Sequence, residues 1–128
     1  MRLRKDGSDM KHELRARVAS VVAAATSGAN VNSVYDYSKN VHRQASVQIN
    51  MGQISGYDYD TSTHFSGGGN GVLDFYDYET SKHVQLKLNG NQFSGYDYNS
   101  SSHFSGTANN RSIMLYDHET SQHYNFSA

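Results

Sequence analysis

Residues 57–64 read Tyr-Asp-Tyr-Asp-Thr-Ser-Thr-His, and variants of this octapeptide recur along the chain with the pattern Tyr-Asp-[Tyr/His]-x4-His. The five copies occupy residues 35–42, 57–64, 76–83, 96–103 and 116–123. Successive copies begin 22, 19, 20 and 20 residues apart. A near-constant period of this length indicates repeated supersecondary units. The repeat therefore decides how residues 33–128 fold.

Each copy has the pattern of a β-hairpin. The four residues between the third motif position and the His are turn formers, as in Asp60–Thr63 and Asn99–Ser102. Further turn signals separate the copies, and Asn89-Gly90 is the strongest short hairpin signal among them. The sequence predicts ten short strands in one continuous antiparallel meander.

Alternation with a period of two residues sorts the predicted strands into an apolar face and a Tyr/His face. The apolar face collects Val34, Ala45, Val47, Ile49, Ile54, Phe65, Leu73, Phe75, Val84, Leu86, Leu88, Phe93, Phe104, Ile113, Leu115, Tyr124 and Phe126. The opposite face collects Tyr35, Tyr37, His42, Gln44, Tyr57, Tyr59, His64, Ser66, Tyr76, Tyr78, His83, Gln85, Tyr96, Tyr98, His103, Tyr116, His118 and His123. With evenly closed turns, the second Tyr of each motif is predicted to pair across from its His.

The Asp of every motif falls on the apolar face next to a turn. These residues are Asp36, Asp58, Asp77, Asp97 and Asp117. Because an unpaired carboxylate is costly to bury, we expect each to accept hydrogen bonds from its own turn at the rim of the sheet.

An open ten-stranded sheet, about 48 Å wide, would leave most of its apolar face exposed to solvent, because a single helix covers only two or three strands. Glycines recur on that face at positions 56, 67, 95 and 106, where they suit tight bending or close approach of a second layer. The expected fold class is therefore all-β, a strongly curved or closed, barrel-like meander with one N-terminal α-helix. Folding over into a sandwich and stacking on a second copy, which makes the protein a homo-oligomer, are the other ways to cover the face.

Residues 1–31 form a basic segment of net charge +3, whereas residues 32–128 carry −4. Leu14, Val18, Val21, Val22 and Ala25 make one apolar stripe, which predicts an amphipathic helix. Asp9 or Ser8 is placed to cap its start and Gly28 its end.

We expect this helix to dock on the 32–128 repeat domain. The alternatives are an export signal within residues 10–27 and a basic helix on a membrane surface. Without a clear signal the compartment stays open, with the cytoplasm slightly favoured.

The 128-residue chain contains no Cys, which excludes disulfides, thiolate metal sites and a Cys nucleophile. No apolar run approaches the roughly 18 residues that a spanning helix needs, so no membrane span is expected. The negative repeat region argues against nucleic acid. No cofactor is indicated.

The repeat also contains partial patterns for a calcium site, a transition-metal site and a catalytic pair. Turns such as Asp58, Asp60 and Ser62 place oxygens like the start of a calcium loop, without its closing Glu. Equivalent His residues should lie about 9–10 Å apart, too far for one metal ion. The Asp and His of a motif point to opposite faces, so no catalytic pair is expected and an enzyme is disfavoured.

The expected function is therefore a non-catalytic structural or interaction module, self-associating or, alternatively, carbohydrate-binding, with calcium binding by the turns as a further alternative. Roughly 20-residue aromatic hairpins resemble the glucan-binding and cell-wall repeats of surface proteins, and the Tyr-Asp pairs resemble the YD repeats of large bacterial shell proteins. The resemblance covers residues 33–128 as a style of repeat and carries over no site residues. The candidate ligand-binding residues are Tyr57, Tyr59, His64, Tyr76, Tyr78, His83, Tyr96, Tyr98 and His103.

Overall fold

The computed structural model describes residues 12–128 as one helix and an antiparallel sheet of eleven strands. The elements are α1 (His12–Ser27), β1 (Val34–Asp36), β2 (Val41–Arg43), β3 (Ala45–Asn50), β4 (Gln53–Asp58), β5 (Thr63–Asn70), β6 (Val72–Asp77), β7 (Lys82–Asn89), β8 (Gln92–Asp97), β9 (Ser102–Asn109), β10 (Ser112–Asp117) and β11 (Gln122–Ser127). The predicted N-terminal caps Asp9 and Ser8 lie outside the described residues. Gly28 does end the helix, with φ of +70° and a hydrogen bond from its N–H to the Ala24 carbonyl.

The sheet is nearly closed into a barrel. Its order is β2-β1-β11-β10-β9-β8-β7-β6-β5-β4-β3, so its two edge strands are consecutive in the chain. Only Gln44 separates β2 from β3, and Val31 forms a bridge with Val47 through two backbone hydrogen bonds of 2.8 and 3.0 Å. The predicted meander is confirmed, and its second strand is interrupted at Gln44, which raises the count from ten to eleven.

The helix is buried among the strands on all sides. Every side chain from Leu14 to Ala24 is at most 4% exposed, and helix and strands contribute to one continuous core. The sequence predicts an amphipathic helix that docks through one apolar stripe. That expectation is corrected, because small Ala and Val side chains let the helix fit within the sheet, and its two arginines have partners there.

The axis of α1 runs along the length of the barrel. Arg15 and Arg17, near its start, reach carboxylates at the end of the barrel that carries the motif turns, which we call the Asp end. At the opposite end, the Arg111 guanidinium lies 3.4 Å from the Ser27 hydroxyl and 3.5 Å from the Asn30 carbonyl oxygen. A helix of 16 residues spans about 24 Å, close to the length of these strands.

The predicted apolar face is the interior of the barrel, and glycines make room for its aromatic rings. A Cβ added at Gly56 would come within 2.3 Å of the Phe65 ring, and one at Gly95 equally close to the Phe104 ring. Closure and the helix together cover the apolar face. An exposed apolar face is therefore no longer a reason to expect stacking on a second copy.

Candidate functional site

The motif aromatics form five clusters on the outer face of the barrel, near the Asp end. We call them the Tyr/His belt. Its members are Tyr35, Tyr37 and His42; Tyr57, Tyr59 and His64; Tyr76, Tyr78 and His83; Tyr96, Tyr98 and His103; and Tyr116, His118 and His123. In every cluster the first Tyr contacts both other rings, with centroids 4.7–5.0 Å apart.

The first Tyr of each motif, not the second, lies directly across from the His. Tyr57 pairs with His64, Tyr76 with His83 and Tyr96 with His103. The predicted pairing of the second Tyr is wrong because each turn begins one residue earlier than expected. In the second copy the four turn residues are Tyr59–Ser62, and Ser62 adopts a left-handed conformation with φ of +55°.

The second Tyr of a motif is exposed, as is the His, whereas the first Tyr lies between them. Tyr59, Tyr78 and Tyr98 are 60%, 56% and 48% exposed, whereas the first Tyr is half-buried between its neighbours. Edge-to-face contact with the first Tyr holds each exposed ring, at interplanar angles of 72–81°. The belt thus presents aromatic rings that are both accessible and fixed.

Backbone hydrogen bonds join neighbouring clusters. The Tyr78 N–H donates to the carbonyl of His64, and the Tyr98 N–H to that of His83, over 3.1 and 3.2 Å. His118, which replaces the second Tyr of the last motif, donates in the same way to the carbonyl of His103. The candidate residues predicted from the sequence therefore form three consecutive clusters, and the first and last motifs complete the series.

Two histidines of the belt have side-chain partners of their own. His83 Nδ1 lies 2.8 Å from an Asp74 carboxylate oxygen, and His118 Nε2 lies 3.1 Å from the Ser105 hydroxyl. Both pairs are exposed to solvent. These partners make the two clusters chemically different, and neither partner is a motif Asp.

The motif Asp side chains lie inside the barrel and accept hydrogen bonds from their own turns, as predicted. Asp58 accepts from the backbone N–H of Asp60 and Thr61, and Asp97 from those of Asn99 and Ser100. Equivalent bonds serve Asp36, Asp77 and Asp117. These hydrogen bonds hold each motif carboxylate at its own turn.

Arginines provide the counter-charges that sequence reasoning missed. Arg17 lies 2.6 Å from Asp58, 2.8 Å from Asp77 and 2.6 Å from Glu79, and it is fully buried. Burial acts to lower the pKa of this guanidinium, but the three carboxylates outweigh it and the pKa is raised. A signal was available, since two arginines lie close to the run of Ala and Val residues in the same helix.

The other motif carboxylates differ in their partners. Arg15 donates to Asp117 through Nε and Nη2 and lies over the Tyr124 ring, while Arg43 pairs with Asp36. No arginine within residues 12–128 pairs with Asp97, so burial raises the pKa of its carboxyl group, partly offset by hydrogen bonds from Ser100 and Asn99. Burial beside Arg15 also lowers the pKa of His12.

Within the described part of the chain, no group of three or more His, Asp or Glu side chains is placed to hold a metal ion. No helix among residues 12–128 is long and apolar enough to cross a membrane. Comparison with known proteins adds no assignment, because no protein family, curated protein or solved structure matches the chain. The geometry of the Tyr/His belt is therefore the basis for assigning a function.

Proposed function

We propose that this protein is a non-catalytic binding module that holds carbohydrate on its Tyr/His belt. The observation that carries the proposal is the exposed second Tyr of the motif, fixed against the half-buried first Tyr in repeat after repeat. An aromatic ring offers a flat apolar surface for a sugar ring, and the Tyr hydroxyl and His nitrogens offer hydrogen bonds.

Preorganisation favours binding at these rings. Immobilising a flexible side chain costs about 0.5–1.5 kcal/mol on association, and Tyr keeps this cost low because it has few rotatable bonds. Contact with Tyr57 at 4.8 Å already restrains Tyr59. Much of the ordering is therefore complete before a ligand arrives.

The repetition of the clusters favours a polymeric ligand. Equivalent clusters are two strands apart, which places them about 9–10 Å from one another around the barrel. A chain of repeated sugar units can contact several such clusters, and each further contact is then intramolecular. A nucleic acid is a poorer fit, because the −4 charge of residues 32–128 repels phosphates.

Separation of the Asp and His side chains supports a non-catalytic role. Asp58 is 3% exposed inside the barrel, whereas His64 of the same motif is exposed outside it. A general base and the carboxylate that orients it must be in contact. Fivefold repetition of the same cluster is also typical of a binding surface rather than of one reactive centre.

A glycan array followed by titration of the best ligand tests the proposal. Replacing Tyr59, Tyr78 and Tyr98 together by Ala should weaken binding about tenfold or more, since aromatic anchors dominate interfaces of this kind. The melting temperature should change little because these rings are exposed. Met51→Ala is the matched control, since this residue is 97% exposed in a turn at the other end of the barrel.

Self-association is the competing role, and light scattering distinguishes it. The proposal predicts a mass that does not depend on protein concentration and that the triple variant leaves unchanged. An array without any bound glycan, or a mass that rises with concentration and falls in the triple variant, would overturn it.

A further inference from the structure

A groove of about 730 Å³ crosses the outer face next to the belt. Its lining includes Lys87, Ser94, Ser105, Tyr116 and His123, from five successive strands. Among these five residues, the two serines lie between Lys87 on one side and the Tyr116 and His123 rings on the other. The groove thus runs across the strands rather than along them.

Strand register places these five residues in one continuous row. Lys87 pairs with Ser94, Ser94 with Ser105, Ser105 with Tyr116 and Tyr116 with His123. Four strand spacings of about 4.8 Å make the row about 19 Å long. This length accommodates a short oligosaccharide lying across the strands.

The same row occurs a second time on the other half of the barrel. Gln48 pairs with Ser55, Ser55 with Ser66, Ser66 with Tyr76 and Tyr76 with His83. Four of its five residue types are identical to those of the first row. The two rows differ in the type of their first residue, which is Lys87 in one row and Gln48 in the other.

Lys87 is available to a ligand. It is exposed, and residues 12–128 provide no ion-pair partner for it. Its direct neighbours across the strands, Val72 and Ser94, are uncharged. Asp74, two residues further along β6, interacts with His83 instead.

We propose that the Lys87 row is the subsite for an acidic sugar unit and that the Gln48 row accepts neutral units. Lys87 Nζ pairs with the sugar carboxylate, the Ser94 and Ser105 hydroxyls bond the sugar hydroxyls, and Tyr116 borders the ring. This assignment rests on the proposed carbohydrate binding and specifies its ligand, a mainly neutral polysaccharide with isolated uronic acid units, because the −4 charge of residues 32–128 would repel a uniformly acidic chain.

Calorimetric titration at low salt compares a polygalacturonic acid that is methyl-esterified except for isolated free carboxylates, the acidic polymer, with the fully methyl-esterified form, so that the two polymers differ only in those carboxylates. Wild type should prefer the acidic polymer about two- to fivefold, the range of an exposed ion pair. Lys87→Gln, which makes the two rows alike, should abolish the preference and leave binding of the ester unchanged. Gln48→Lys, its mirror variant, should increase the preference, and about 1 M salt should erase it.

A steric pair of variants locates the subsite. Ser94→Leu fills the Lys87 row and should remove the preference, whereas Ser55→Leu fills the equivalent position of the other row and should retain it. Equal binding of both polymers by wild type, or a preference that survives Lys87→Gln, would overturn the assignment while leaving the proposed function intact. Failure of wild type to bind either these polymers or any glycan on the array would overturn both.

Discussion

Tyr57 and Asp58 are neighbours in the chain, yet they belong to opposite sides of the barrel wall. Asp58 points inward to Arg17 and joins a network in which one guanidinium serves three carboxylates. Tyr57 points outward and contacts the rings of its own cluster, Tyr59 and His64. The side chains inside the barrel form one connected core, whereas the aromatic rings outside form five separate clusters. Substitutions inside should therefore affect the whole fold, and substitutions outside should remain local.

The largest effect is expected at the centre of the internal network. Arg17→Met leaves Asp58 and Asp77 buried without the guanidinium that pairs with them, a change that costs about 3–5 kcal/mol in comparable buried pairs. Urea denaturation measures the free energy of unfolding, and Lys87→Gln is the outer control, with an expected change within about 0.5 kcal/mol. A loss below about 1 kcal/mol at Arg17 would mean that its side chain is in water and that the helix is not inside the barrel.

A smaller effect is expected where the wall of the barrel meets its core. Gly56→Ala places a methyl group 2.3 Å from the Phe65 ring, which is completely buried and has no free space to enter. Overpacking of this kind costs about 1–3 kcal/mol. Ser55→Ala, one residue away on the outer face, should change the free energy of unfolding by less than about 0.5 kcal/mol.

Replacing the Phe65 ring by a smaller side chain should then relieve the clash at Gly56. In a double-mutant cycle, Phe65→Leu should destabilise the Gly56→Ala protein less than it destabilises wild type. Strictly additive free energies would show that the two side chains do not meet.

The smallest effect is expected at Asp97, which has no arginine partner within residues 12–128. Burial raises its carboxyl pKa above the ordinary 3.8, so the folded protein favours the protonated form more than the unfolded chain does. The stability associated with that proton is present at low pH and is lost as the pH rises through the raised pKa. Asp97→Asn keeps an acceptor for the turn and should lie within about 1 kcal/mol of wild type at pH 7.

The pH dependence sharpens the contrast between Asp97 and its counterpart Asp117. Relative to wild type, Asp97→Asn should be more stable at pH 7 than at pH 3.5, as measured by denaturant unfolding at both values. Asp117→Asn should instead be clearly destabilised at pH 7, because Arg15 loses its carboxylate. Equal behaviour of the two variants would contradict the account of the interior.

Repetition made most of the architecture predictable. The period-two pattern placed Phe65 inside and His64 outside, and the turn chemistry of Asp58 was anticipated from its position beside a turn. The location of the helix was not predictable from its stripe, because Arg15 and Arg17 made its remaining surface appear polar. Their burial depends on carboxylates between 41 and 102 residues away in the chain.

The register and the groove were missed for different reasons. The turn begins one residue earlier than predicted, so Tyr57 lies opposite His64 where Tyr59 was expected. Turn-forming residues do not by themselves determine where a four-residue turn begins. The groove depends on which strands are neighbours. Lys87 and Ser105 are 18 residues apart in the chain, and only the register places them in one row.

The division between a structural interior and a binding exterior is tested most directly by one NMR titration with the best glycan from the array. We predict that the ring resonances of the exposed Tyr59, Tyr78 and Tyr98 shift progressively with ligand, while the amide resonances of Leu14–Ala24 remain in place. Shifts concentrated in the helix amides, with the tyrosine rings unaffected, would contradict that division.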